Sequence, residues 1–123
     1  MHVLHAPATE EGGWEAARKL LAEPDRPTAC GVGSLNQVFG AMAALRAASV
    51  PVPEGMSLVS FDEDECLAFL DVPVTSVAMP LVELGSAAVD ALIARVEGGS
   101  ERDVLVREPM RMVHRESVAP RRA

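Results

Sequence analysis

The strongest constraint on this chain is an alternation of short apolar runs with capped, amphipathic segments. Residues 2–6 read as a short strand. Thr9 then offers a helix cap, with Glu10 and Glu11 in the first turn, where the helix dipole favours acids. Ala16, Ala17, Leu20 and Leu21 follow at the spacing of one helical face, and Pro24-Asp25-Arg26-Pro27 stops it. Thr28 to Val32 reads as a buried strand. Ser34 and Gln37 form the sequence of a capping box, opening a helix of mostly Ala, Leu and Met to about Ala48. After the extended Val50-Pro51-Val52-Pro53 loop, Ser57 to Phe61 is a third strand. Asp62 is placed to cap a short helix to about Leu70, Val72-Pro73 breaks it, and Val74 to Ala78 is a fourth strand. Pro80 precedes a helix with Leu81, Leu84, Ala88, Leu92 and Val96 on one face, ended by Gly98-Gly99. Residues 104–107 and 110–114 read as short strands, and the tail after Ser117 as loose. This order predicts an α/β fold, a mostly parallel sheet flanked by helices.

The 123 residues suffice for one small domain. With one Trp, three Phe and no Tyr, its core must be built from Ala, Val, Leu and Met. A net charge of −7, with Lys19 as the sole lysine, argues against a nucleic-acid face, which needs clustered cations. Arg121 and Arg122 read as a solvated chain end. Cys30 and Cys66 lack metal-site spacing and read as small buried hydrophobes, in keeping with a reducing compartment. No apolar run has the roughly 18 residues of a membrane span, and the start lacks a signal-peptide charge pattern. The expectation is a cytoplasmic protein.

In open parallel sheets, ligands bind beyond the carboxyl ends of the strands. Three turns fall there: Ala6-Pro7-Ala8, Gly33-Ser34-Leu35-Asn36 and Asp62-Glu63. Ser34 and Asp62 have short polar side chains suited to a small hydroxylated ligand, although capping alone also accounts for both. Gly31-Val32-Gly33 begins a dinucleotide fingerprint, but Asn36 holds the third glycine position, so no nucleotide cofactor is expected. The run Asp62-Glu63-Asp64-Glu65 lacks the glycine and later Glu of a calcium loop; it reads as a solvated acidic helix start, not a metal site. His2, His5 and His114 form no catalytic arrangement, and no nucleophile elbow is present, so an enzyme is not expected.

Several stretches resemble, in order, the effector domain of lactose-repressor (LacI/GalR) family transcription regulators. Pro27-Thr28-Ala29 through Gly40-Ala41-Met42 is similar to the family's "PTA" strand and the helix after it, with its fixed Gly. Val52-Pro53-Glu54-Gly55-Met56-Ser57 through Phe61-Asp62 resembles "VPeDiSvvGfDd". Pro73-Val74-Thr75-Ser76-Val77 resembles "PpLTTv", Pro80, Gly85 and Ala88-Val89 match the helix that follows, and Val113-His114-Arg115-Glu116-Ser117 resembles the closing "lvvReSt". Glu11-Gly12-Gly13-Trp14 is similar to the family's "esGy" helix start.

The resemblance covers nearly the whole chain. It implies a partial periplasmic-binding-protein-like (type I) fold, in which two α/β subdomains close on a sugar, a nucleobase or another small effector. Residues 1–117 would be the carboxyl-terminal part of that domain and 118–123 a tail. The chain would cross to a missing first subdomain over 78–108, and the DNA-binding head is absent from this sequence. The implied function is effector sensing and dimerisation in a transcription regulator. Alternatives are a self-associating module that has lost ligand binding, or a fragment of a transport-type sugar-binding protein. Asp62 matches the family aspartate that takes ligand hydroxyls, and Leu81 a position that faces the ligand. Ser34-Leu35 stands where the family has an Asn-Asp pair, and Ser60 where it usually has Gly. Phe39, Phe69 and Leu70 map to the family's dimer contact, which implies a homodimer. The apolar helix 81–97 would have lost its home sheet, and is expected to pack in trans against a second copy or to fold back.

Overall fold

Three four-residue strands lie parallel in the computed structural model, which describes residues 2–99, 105 and 107–120. They are β1 (Ala29–Val32), β2 (Ser57–Ser60) and β3 (Thr75–Ala78), and β4 (Arg111–Val113) follows β3 in the sheet order β1-β2-β3-β4. Ala29 pairs with Ser57 and Val32 with Ser60, while Val59 and Ser60 pair with Thr75 and Ser76. The expected α/β architecture is therefore present.

The helices are α1 (Glu10–Leu21), α2 (Leu35–Ala47) and α3 (Leu81–Val96). Thr9 caps α1, its hydroxyl accepting the Gly12 amide at 3.0 Å. Two glycines let α1 and α2 touch through their backbones. A Cβ on Gly40 would sit 1.8 Å from the Glu10 carbonyl oxygen, and one on Gly13 would sit 2.2 Å from that of Gln37. Val38, Ala41 and Leu45 of α2 meet Met56, Leu58, Leu67 and Val74 in the buried core. Each fully buried side chain of Val or Leu size contributes about 1.5–3 kcal/mol.

Several expectations need correction. Residues 2–6 form no strand, and Val3 and Leu4 are exposed; a strand needs a ladder partner, and β1 is not paired to them. β1 is not a buried strand but the edge of the sheet, with Ala29 and Gly31 exposed and Cys30 and Val32 turned toward the core. The short helix after β2 is a single 3-10 turn, Glu65–Ala68, capped by Asp64 rather than Asp62. Phe69 then follows and Pro73 lies close behind, leaving no length for α-helix. In the expected strand at 104–107, residues 104 and 106 lie outside the described residues, and Leu105 and Arg107 are not in a strand. The chain after Ser117 is held at first, because the Ala119 amide donates to the Ser57 hydroxyl at 3.2 Å; residues 121–123 lie outside the described residues.

The chain divides into two compact units, Met1–Ala78 with Met112–Ala123, and Met79–Arg111. The first holds the core. In the second, α3 has no buried residue, and Leu81, Val82, Val89, Leu92, Ile93 and Val96 are all exposed.

Candidate functional site

The parallel register brings the carboxyl ends of β1 and β2 side by side, and the turns beyond them meet. Ser34 accepts the Gln37 amide at 3.4 Å and so caps α2. Asp62, beyond β2, reaches across to the same helix end, and its Oδ2 accepts the Leu35 amide at 3.1 Å. Asp62 thus caps the neighbouring helix, not its own, because its backbone is held elsewhere. The Ser60 hydroxyl donates to the Asp62 carbonyl at 2.6 Å and accepts the Asp62 amide at 3.1 Å. Ser60 is fully buried, so this closed loop fixes where the carboxylate points. One Asp62 oxygen is engaged with the helix, and a carboxylate has acceptor capacity beyond that single bond.

The third turn joins through a residue that sequence reasoning assigned otherwise. The Gln37 side chain does not return to the Ser34 amide to complete a capping box. Its Nε2 donates to the carbonyls of Ala6 and Pro7, at 3.1 and 2.9 Å. The three predicted turns are therefore bonded into one group, by Gln37 on one side and Asp62 on the other. Asp62 and Ser34 lie within the first unit; Leu81 opens α3 in the second unit and is 65% exposed.

The acidic run is solvated only in part: Asp64 and Glu65, at the start of the 3-10 turn, are exposed, whereas Glu63 is not. Glu63 forms a two-pronged pair with Arg115, with Arg115 Nη2 to Oε1 at 2.6 Å and Nη1 to Oε2 at 2.9 Å. Ser76 donates to the same carboxylate, and Arg115 also donates to the Val74 carbonyl at 2.8 Å. The Glu63 carboxylate raises the Arg115 guanidinium above its ordinary range, so the pair stays charged. Asp64 caps the 3-10 turn, where its bond with Cys66 lowers its carboxyl and raises the Cys66 thiol. Cys66 thus sits beside an acid rather than in apolar surroundings. Only the pairing of Glu-63-type acids with the late "HRES" segment could have signalled this network, and the spacing between them gave no local cue.

Ser117 extends the tie. Its buried hydroxyl donates to the Leu58 carbonyl and accepts the Thr75 amide at 2.8 Å, joining the end of the chain to β2 and β3. No cluster among the described residues is suited to hold a metal ion.

Two hollows lie in the first unit, and Gln37 and Ala6 are on the wall of the larger one. One of about 670 Å3 is bounded by residues 2–6, β1, α1 and α2; Ser34 and Asp62 are not on its wall. The other, about 540 Å3, is lined by Phe39, Leu70, Met42, Val50 and Val52. Phe69 is 85% exposed, an unusual state for an aromatic side chain.

Residues 2–118 match the family described as the periplasmic binding protein-like domain. The chain belongs to that family, as part of a LacI-type regulator's effector domain. The ribose operon repressor of Escherichia coli K12 is 36% identical over 85 residues, 69% of this chain and 26% of the repressor. A LacI family regulator from Bifidobacterium animalis shares the fold with a TM-score of 0.88 and 26% identity, covering 97% of this chain and 44% of that one. A LacI family regulator from Enterococcus faecium, solved with bound ribose, has the same fold at a TM-score of 0.81 and 24% identity, again over 97% and 44%. The chain therefore spans about a quarter of the length of the curated relatives it matches first. The ribose operon repressor and, at 33% identity over 90 residues, CytR of Escherichia coli are transcriptional repressors.

Among the described residues, no helix is long and apolar enough to cross a membrane.

Proposed function

We propose that this polypeptide is the effector-sensing and dimerisation part of a cytoplasmic LacI-type regulator, and that it supplies one wall of a cleft for a hydroxyl-rich small molecule. The observation that carries this reading is the fixed Asp62 carboxylate, held by Ser60 at the carboxyl end of a parallel strand and beside the start of α2. A sugar hydroxyl donates well to such an oxygen, and a hydrogen bond to a charged group contributes about 1.5–3 kcal/mol. The ribose repressors among the relatives and the ribose held by a protein of this fold make a pentose, free or within a nucleoside, the first ligand to try. Leu81 opens α3 of the second unit. The bounds of that unit, Met79–Arg111, support the reading that this stretch belongs with a first subdomain.

Titration calorimetry with ribose, other sugars and nucleosides tests the proposal. Heat of binding that Asp62→Ala removes supports it. Binding that survives this substitution, or no heat with any of them, leaves self-association as the function. The Leu35 position favours that second reading, because a leucine there offers no polar partner for a ligand.

A further inference from the structure

Two serines at paired positions of β2 and β3 hold the turn that carries Asp62. Ser60 and Ser76 are register partners, and both are fully buried. The Ser60 hydroxyl takes the backbone of Asp62, accepting its amide and donating to its carbonyl. The Ser76 hydroxyl takes the next side chain, donating to the Glu63 carboxylate. Arg115 closes this second grip. Its Nη1 and Nη2 meet the two Glu63 oxygens at 2.9 and 2.6 Å, and Nη1 also donates to the Ser76 hydroxyl at 3.1 Å. Arg115 is itself seated on β3, where the Thr75 hydroxyl accepts its amide at 2.9 Å and donates to its carbonyl at 3.3 Å. Glu63 is thus tied to two segments that lie far from it in sequence. The peptide group between Asp62 and Glu63 is one rigid plane. Ser60 holds its carbonyl end, and Glu63 holds the Cα at the other end. A hydroxyl on a single rotatable bond lets such a plane swing, whereas a two-pronged ion pair fixes it.

We infer that Glu63 is a positioning residue for the Asp62 carboxylate, and that Arg115 and Ser76 act with it to keep that carboxylate aimed at the start of α2. A binding group holds its geometry only when the residues behind it are themselves locked. The inference rests on the reading of Asp62 as the effector-binding group. Its consequence is that the stretch around Arg115 sets the affinity for the effector without contributing a group to it.

Two amides at the start of α2 separate this role from mere cohesion. The Leu35 amide is capped by Asp62, and the Gln37 amide by Ser34. Hydrogen exchange of the full chain without ligand, read by NMR, is compared between wild type and Glu63→Ala. The Leu35 amide is expected to exchange about fivefold faster, the loss of one cap, while Gln37 is unchanged. Glu63→Gln keeps the length but only one accepting oxygen, so it gives the same split at smaller size, and it decides the matter if Glu63→Ala does not fold. Met56→Ala removes buried core packing at the other end of β2 and gives no split. The inference is overturned if Leu35 and Gln37 speed up together, if neither changes, or if Met56→Ala shows the same split. Ribose forms the second arm. Its Kd is expected to rise about fivefold in Glu63→Ala, with Asp62 intact, and an unchanged Kd also overturns the inference. A wild type that does not respond to ribose counts against the effector reading instead, and the comparison of Leu35 with Gln37 still decides whether Glu63 aims the carboxylate.

Discussion

At the scale of single residues, the closed polar group around Glu63 and Arg115 carries much of the cohesion of the first unit. The two side chains are only 13% and 23% exposed, so solvent screens the pair weakly. Removing the cation with Arg115→Met strands a largely buried carboxylate that keeps its bond from Ser76. The loss expected is on the order of 3 kcal/mol, read as a lower urea midpoint at unchanged slope. Arg115→Lys recovers only part of it, because an ammonium cannot reproduce the two-pronged contact. Cys30 gives a pH signature. Burial pushes its thiol up to about 11, from 9.0 in an open chain, so the folded protein holds this proton more tightly. That contribution is whole below about pH 9 and is lost as the pH climbs toward 11. Wild-type stability should fall on the order of 2 kcal/mol further over that range than that of Cys30→Ala, by urea unfolding at each pH.

At the scale of elements, the helix and strand order was legible because caps and periodicity are local signals. Thr9, Ser34 and the stops after Leu21 and Val96 appear where side-chain chemistry requires them. What escaped notice depends on distant partners. Residues 2–6 have strand composition but no ladder, and Thr28 to Val32 has the apolar content of a buried strand but lies at an edge. Asp62 has the sequence of a cap, yet it caps the helix begun 27 residues earlier, because Ser60 holds its backbone. The Ser60 hydroxyl grips the Asp62 backbone through both its amide and its carbonyl. The contact of α1 with α2 is similarly a matter of tertiary packing. Adding a methyl group at Gly40 meets backbone atoms of Glu10 and Trp14, which cannot rotate away. Gly40→Ala should separate the helices and cost about 2–3 kcal/mol, measured by thermal unfolding. If the melting temperature is unchanged, the close helix contact is wrong.

At the scale of the whole molecule, apolar surface is left in two places. Around Phe69, Phe39 and Leu70 the first unit presents an aromatic side chain beside an apolar hollow, and α3 presents Leu81, Val82, Val89, Leu92, Ile93 and Val96. Exposed apolar patches of several hundred Å2 usually mark an interface. We expect a homodimer in sedimentation experiments at micromolar concentration, and a shift toward monomer in Phe69→Glu with Leu70→Glu. An unchanged mass in that double variant would move the interface to α3, which Val89→Glu with Ile93→Glu would then disrupt. The family was legible in the sequence because its motifs run in order along nearly the whole chain, and the match over residues 2–118 agrees. The site was half legible. Residue types pointed to Ser34 and Asp62, but the bonds that aim them came from Ser60, Gln37 and the fold.

In the proposed function the Asp62 carboxylate receives a small hydroxylated effector while it caps α2. Asp62→Asn separates the two roles, since the amide oxygen can still accept the Leu35 N–H but carries no charge. The decisive measurement is an amide NMR titration of the full chain with ribose, wild type against Asp62→Asn. The prediction is that the Leu35 and Asp62 amides shift in the wild type, and that the variant keeps its stability but loses the response. Shifts confined to other residues, or an undiminished response in the variant, would contradict it.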